Sequence, residues 1–193
     1  VTLLKPRESE KYIDTLKSNN QTINEMNKMI GNILEIGRQE GAQFEKPVVL
    51  DMMRFLKEQI NNYTILAKME EKEILEEIPT KHYKITIQPT LLIHILQNFV
   101  QNAIKFTPKG GHITIRAYSN KEGFHIFVID EGIGIDESKD LFAPFKRYGN
   151  QTGAGLGLFL AKSAADAIGA KITLKNRTDR EGTIASLLIP HKI

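Results

Sequence analysis

The stretch 91–108, LLIHILQNFVQNAIKFTP, constrains the fold of this chain more than any other. Leu92, Ile95, Leu96, Phe99, Val100 and Ile104 recur at the i, i+3, i+4, i+7 spacing of one buried helical face. A helix striped in this way has to lie against a second layer. Asn98, Gln101, Asn102 and Lys105 fall at a different angle. Asn98 and Asn102 are one turn apart on the same side, and Lys105 follows three residues later. Two amides and a lysine beside an apolar face suit a metal–phosphate group. They equally suit a solvated face, and the helix alone leaves both readings open.

The flanking patterns describe the second layer. HITIRAYS (112–119) and FHIFVID (124–130) alternate apolar and polar residues around a hairpin loop at 120–123. KITLKN (171–176) and GTIASLLIP (182–190) make another hairpin-like pair, and ILEEIP (74–79) and HYKITI (82–87) read as short strands. Residues 49–72 predict a helix with Met53, Phe55, Leu56, Ile60 and Ile65 or Leu66 inward. Residues 155–169 predict another, ended by Gly169 as a left-handed cap. Pro89 lies in the first turn of the central helix, where a missing N–H costs little. The expected class is α+β, a two-layer α/β sandwich with a mixed sheet and helices on one face.

Ahead of this domain, residues 8–41 are helical in pattern. Ile13, Leu16, Asn20, Ile23, Asn27, Ile30 and Leu34 alternate steps of three and four. That heptad-like seam suits packing lengthwise against other helices, with the two seam Asn residues fixing register. A long surface helix on the following domain is the alternative. The break at 41–47 sets the expected boundary, with 1–43 and 44–193 as separate units.

Composition removes several function classes. Hydrophobic content of 41% and charged content of 25% are those of a globular chain, so disorder is not expected. A net charge of +3, few aromatics and no Trp argue against a nucleic-acid face. With no Cys there is no disulfide, thiolate metal site or Cys nucleophile, which fits a reducing compartment. No apolar run approaches the roughly 20 residues of a membrane span, and no signal peptide is visible. The chain opens on Val, as a piece of a longer protein would.

Three further segments bear on chemistry. Asp130-Glu131-Gly132-Ile133-Gly134-Ile135 follows a strand directly. Its glycines allow positive φ and the close approach of something flat, with Asp130 placed to accept a hydrogen bond. A simple Asp-containing turn is the other reading. Gly153-Ala154-Gly155-Leu156-Gly157-Leu158 opens a helix, where free N–H groups and the positive dipole end suit phosphate. It has neither the P-loop nor the dinucleotide spacing, and close helix packing explains it equally. Between them, DESKDLFAPFKRYGNQT (136–152) carries Phe142 and Phe145 among polar residues and reads as a lid. Lys146 and Arg147 on it would reach phosphates, or are ordinary solvated charges.

Taken in order, Asn98 to Pro108, the 130–135 loop, Leu141-Phe142-Ala143-Pro144-Phe145 and Gly153 to Leu158 resemble the N, first glycine, F and second glycine boxes of sensor histidine kinases. Those kinases belong to the GHKL superfamily, with its Bergerat fold, and the resemblance spans about residues 85–190. It implies that the chain binds ATP with Mg²⁺. Asn102 would be a metal ligand, and Asn98 would support metal or phosphates. Lys105 would contact a phosphate, with Phe106 on adenine. Asp130 would accept from the adenine amino group, and Gly132 and Gly134 would let adenine in close. Gly153, Gly155 and Gly157 would offer N–H groups to phosphates, beside Leu156 and Leu158, and Phe145 belongs to the same binding set. Arg147 would approach the γ-phosphate as the lid closes, so Asn98, Lys105 and Arg147 would carry the transfer.

There are departures from the family pattern. Gln88-Pro89 replaces the common Asp-Pro, Lys146 replaces a frequent aromatic, Ala154 replaces a frequent Thr, and 49–81 matches only in outline.

The same resemblance assigns residues 1–43 to the end of a dimerising helical hairpin, two of which form a four-helix bundle. KPRES is its turn. The phosphorylated histidine would lie on the first helix, about three turns or ~16 Å before Val1. No His precedes His82, and His82, His94, His112, His125 and His191 all read as structural. The implied function is transfer of the ATP γ-phosphoryl group to a histidine not present in this chain, for relay to an aspartate on a response-regulator receiver domain. A membrane would be reached only through regions outside the chain. The alternatives are another GHKL ATPase or serine kinase, or a non-catalytic dimerisation and docking module. Hydrolysing relatives carry a Glu where this chain has Asn98, which favours the histidine kinase.

Overall fold

The computed structural model describes residues 12, 13, 15, 16, 41, 45–144 and 155–191. The helix expected over 8–41 therefore falls almost wholly outside the described residues, as do Phe145, Lys146, Arg147 and Gly153. Tyr12, Ile13, Thr15 and Leu16 are helical, with Ile13 and Leu16 50% and 57% exposed.

In chain order the elements are β1 (Val48–Asp51), α1 (Met52–Met69), β2 (Glu73–Glu77), β3 (Lys84–Ile87), α2 (Pro89–Phe106), β4 (His112–Ser119), β5 (Gly123–Asp130), α3 (Gly157–Ala167), β6 (Lys171–Asn176) and β7 (Thr183–Pro190). Five strands form a mixed sheet in the order β2-β4-β5-β7-β6. β2 runs parallel to β4, and the other neighbours are antiparallel. The three helices pack along the sheet, α1 on β2, α2 on β5 and α3 on β6. Alternation puts Ile113, Ile115, Phe124, Ile126, Val128, Leu187 and Ile189 beneath them, all buried. The stripe of α2 closes the core with Leu92, Ile95, Leu96, Phe99 and Val100, while Ile104 is half-buried. The two-layer sandwich expected from the sequence is present. A second, two-stranded sheet of β1 and β3 stands beside it.

The stretch 49–72, expected to be one helix, is divided. Val48 and Val49 pair antiparallel with β3. Asp51 then starts α1, its carboxylate accepting the N–H groups of Met53 (3.1 Å) and Arg54 (3.4 Å). The inward stripe continues through Leu56, Ile60, Tyr63 and Ala67, at steps of four, three and four. Ile65 and Leu66 lie off that stripe and are 63% and 45% exposed.

The other termini follow local chemistry. Gln88 gives α2 no side-chain cap. Instead Glu45, distant in sequence, accepts the Thr90 N–H at 3.4 Å. Gly155 has φ of 67°, which helix cannot include, so α3 begins at Gly157 rather than at 155. Gly169 at φ 69° ends it, with Gly169 N–H to Asp166 O and Ala170 N–H to Ala165 O forming a Schellman motif. Among the described residues no helix is long and apolar enough to cross a membrane.

Candidate functional site

Two glycine turns meet α2 at different heights. Near its end, Gly132 lies so close that a Cβ added there would stand 3.0 Å from the Phe106 carbonyl oxygen and 2.9 Å from Asp130 Oδ1. Two turns earlier, Asn98 faces the start of α3, and a Cβ on Gly157 would stand 2.5 Å from Asn98 Oδ1. Eight helical residues separate these contacts, about 12 Å of rise. Asn102 lies between them in sequence.

Asp130 ends β5 and is only 7% exposed. Its Oδ1 accepts the N–H of Gly132 (2.8 Å) and the N–H of Thr183 (3.0 Å). Burial pushes the carboxyl pKa up; the two amides, the Thr183 hydroxyl and the charge of Arg177 act in the opposite sense. A buried acid oriented by fixed donors at a strand end is a common mark of a binding site. Its neighbour Glu131 points elsewhere. Glu131 accepts the His112 N–H at 2.9 Å and pairs with Arg180 at 3.1 Å, and these partners lower its pKa.

Only one glycine of the loop has positive φ, Gly134 at 75°. The expectation that both turn the backbone this way is corrected for Gly132, whose need for glycine is the approach to Phe106. At Gly134 a Cβ would stand 2.6 Å from Asn176 Oδ1. Both absent side chains therefore make room for protein groups.

On α2, Asn98 Nδ2 donates to His94 O at 2.8 Å, leaving Oδ1 turned toward Gly157. Asn102 is half-buried, and its side chain makes no hydrogen bond with any described residue. The Lys105 ammonium lies 5.0 Å over the Phe106 ring, so these two candidates sit together. At the second glycine turn the first helical bond is Leu160 N–H to Leu156 O, so the N–H groups of 157–159 have no helical partner. Leu156 is buried and Leu158 packs against the core.

The structure thus brings Asn98 to Gly157, Phe106 to Gly132 and Lys105 to Phe106. It adds Thr183, Asn176 and Arg177, which the sequence did not single out. Gly182-Thr183 reads there only as the start of a strand, and no local signal ties it to Asp130.

A buried acid at a strand end and helix N–H groups without a helical partner suit a nucleotide, and on this sheet-and-helix frame they define a nucleotide-binding sandwich. The family described as histidine kinase-, DNA gyrase B-, and HSP90-like ATPase matches residues 87–193, and the chain belongs to that family. ATP is accordingly the ligand of the domain. The sensor histidine kinase WalK of Bacillus subtilis (strain 168) is 26% identical over 178 residues, 86% of this chain and 29% of WalK. The histidine protein kinase DivJ of Caulobacter vibrioides is 24% identical over 189 residues, 94% of this chain and 32% of DivJ. Among solved structures, full-length ShkA in complex with AMPPNP aligns with a TM-score of 0.69 at 23% identity, covering 98% of this chain and 40% of that one. The catalytic domain of histidine kinase ThkA gives 0.67 at 24%, covering 76% and 96%. These structures share the fold. The chain spans about a third or less of the curated relatives WalK and DivJ.

Proposed function

We propose that this chain is the ATP-binding kinase core of a two-component sensor histidine kinase. The observation that carries the reading is the amide of Asn98. It stands beside the second glycine turn with one end held by the His94 carbonyl, and α2 contains no acidic residue at all. A hydrolysing enzyme needs a base for its water. An imidazole nucleophile needs none. Its ring nitrogen bonds to the γ-phosphorus as the bond to the ADP oxygen breaks, and ADP leaves with the electron pair.

In this reading adenine lies between Asp130 and Phe106, with the loop around Gly132 and Gly134 as its wall. Lys105, Asn98 and the N–H groups at Gly155 and Gly157 face phosphates. Phe145, Arg147 and Gly153 keep the roles that the family resemblance implies. Mg²⁺ fits the residues present. Among the described residues no trio of His, Asp or Glu could cage a metal alone. The Asn102 side-chain oxygen is bonded to no described residue, and Mg²⁺ commonly takes few protein ligands with substrate phosphates. The ion would neutralise phosphate charge. Asn102 would orient the phosphates, and Lys105 would add charge beside them.

Residues 1–43 would be part of a dimerising helical hairpin and 44–193 the catalytic domain. The exposure of Ile13 and Leu16, both seam positions, supports partner helices. The acceptor histidine lies on the longer protein, the second partner is a receiver domain, and the setting is cytoplasmic. The test is label transfer from γ-labelled ATP to a separately supplied phosphoacceptor hairpin. Acid-labile label on the hairpin, and none on this chain, is expected. Steady phosphate release with an unlabelled acceptor would overturn the reading in favour of hydrolysis.

A further inference from the structure

The turn between β6 and β7 takes no part in the chemistry above, yet its flanks hold the first glycine loop at both ends. At the near end, Thr183 N–H meets Asp130 Oδ1, and Arg177 Nη1 donates to Asp130 O at 3.3 Å. Gly182 permits this approach, since a Cβ there would stand 2.1 Å from Asp130 O. At the far end the contact is a two-point clasp. Asn176 Oδ1 accepts the Ile135 N–H at 2.7 Å, and Asn176 Nδ2 donates to Ile135 O at 2.8 Å. The main chain of Asn176 is anchored in turn, its N–H donating to Glu137 Oε1 at 2.7 Å. Residues 131–135 belong to no strand, so no ladder fixes their path.

We propose that Asn176 is a positioning residue for the purine pocket. It acts through the Ile135 peptide and holds the far wall of the glycine loop at a set distance from Asp130. The proposal rests on the ATP reading above. A peptide presents one donor and one acceptor, and a carboxamide is the side chain that answers both. Asp would lose the donor and set a charge against the Ile135 carbonyl. Ala would leave both peptide groups unanswered. Gly134 belongs to the same device, because any side chain there would collide with the clasping oxygen.

The experiment compares Asn176→Ala and Asn176→Asp with the parent chain, titrating ATP, adenosine and inorganic tripolyphosphate well below the melting temperature. In Asn176→Ala, losing two hydrogen bonds of ordinary worth predicts ATP and adenosine affinities falling by the same factor, about thirtyfold, and in Asn176→Asp the lost donor and the added charge lower both in the same way, with tripolyphosphate unchanged in each. General loosening of the domain would weaken all three ligands and overturn the proposal. So would unchanged adenosine binding in both variants while Asp130→Asn loses it; that outcome leaves the ATP reading intact. A parent chain that binds neither ATP nor adenosine would overturn both.

Discussion

The loop after Asp130 and the helix surface around Asn102 are served by the same helix, about one turn apart, and they are finished to different degrees. At the loop, protein answers protein. Asp130 holds two backbone donors, Ile135 is clasped by Asn176, and Gly132 rests on the Phe106 carbonyl. On the open side, the Asn102 side chain meets no hydrogen-bond partner among the described residues, and the first N–H groups of α3 have none within the helix. A purine is rigid and neutral, and selecting it calls for a wall built in advance. A triphosphate brings its own charge and cation, so its site can stay open until the ligand completes it. The buried wall draws on the sheet for support, while the open site draws on one helix face and one helix end.

The strongest way to break this comparison is Asn102→Ala. If Asn102 serves only the ligand, Mg²⁺-dependent ATP affinity should fall by about a hundredfold with the melting temperature unchanged. A titration showing equal affinity with and without Mg²⁺ in both proteins would remove its metal role. Asp130→Asn should act almost as strongly, about tenfold to a hundredfold on ATP, and should abolish preference over GTP. Its effect on the free protein should have the opposite sign. Asn keeps an oxygen for Gly132 and Thr183 and removes a buried charge. Because the folded pKa of Asp130 is raised, the folded chain binds that proton more tightly than the unfolded one. Stability is therefore lost as pH rises through the folded pKa, and the variant's advantage in melting temperature should grow from about pH 4 upward. A variant that melts lower at neutral pH would contradict this.

Gly132→Ala sharpens the same contrast from the packing side. A methyl group 3.0 Å from the Phe106 oxygen should cost about 1–3 kcal/mol of stability, and ATP affinity should fall with it. Denaturant unfolding measures the first and titration the second; full stability would mean that the loop is free to move off α2. The smallest effect expected is for Glu45→Ala. It removes a long hydrogen bond at the start of α2 and should lower stability by about 0.5–1 kcal/mol without touching ATP affinity. A change in affinity would show that the helix N-terminus is coupled to the site.

Much of this domain is legible in the sequence because its signals are periodic. The alternation of 112–119 and 124–130 gives the hairpin, and the stripe of 91–108 gives α2 and its buried side. The stretch 49–72 was less legible. Val48 and Val49 continue an apolar pattern into α1, and only pairing with β3 and the cap at Asp51 separate strand from helix. Periodicity also left Ile65 and Leu66 as inward candidates, because a choice between neighbouring apolar residues depends on which face meets β2.

The sequence by itself determined the helix, the strands, the order of the glycine turns and the absence of an acid on α2. Each is a property of neighbouring residues or of a repeating step. Only the tertiary structure decided what the glycines are for. The Cβ directions at 132, 134 and 157 point at Phe106, Asn176 and Asn98, residues 26 to 59 positions away. It also brought Thr183, Arg177 and Asn176 to the Asp130 loop, through strand pairings that place β7 beside β5 and β6 beside β7. Such contacts depend on register across the sheet, which no local spacing carries.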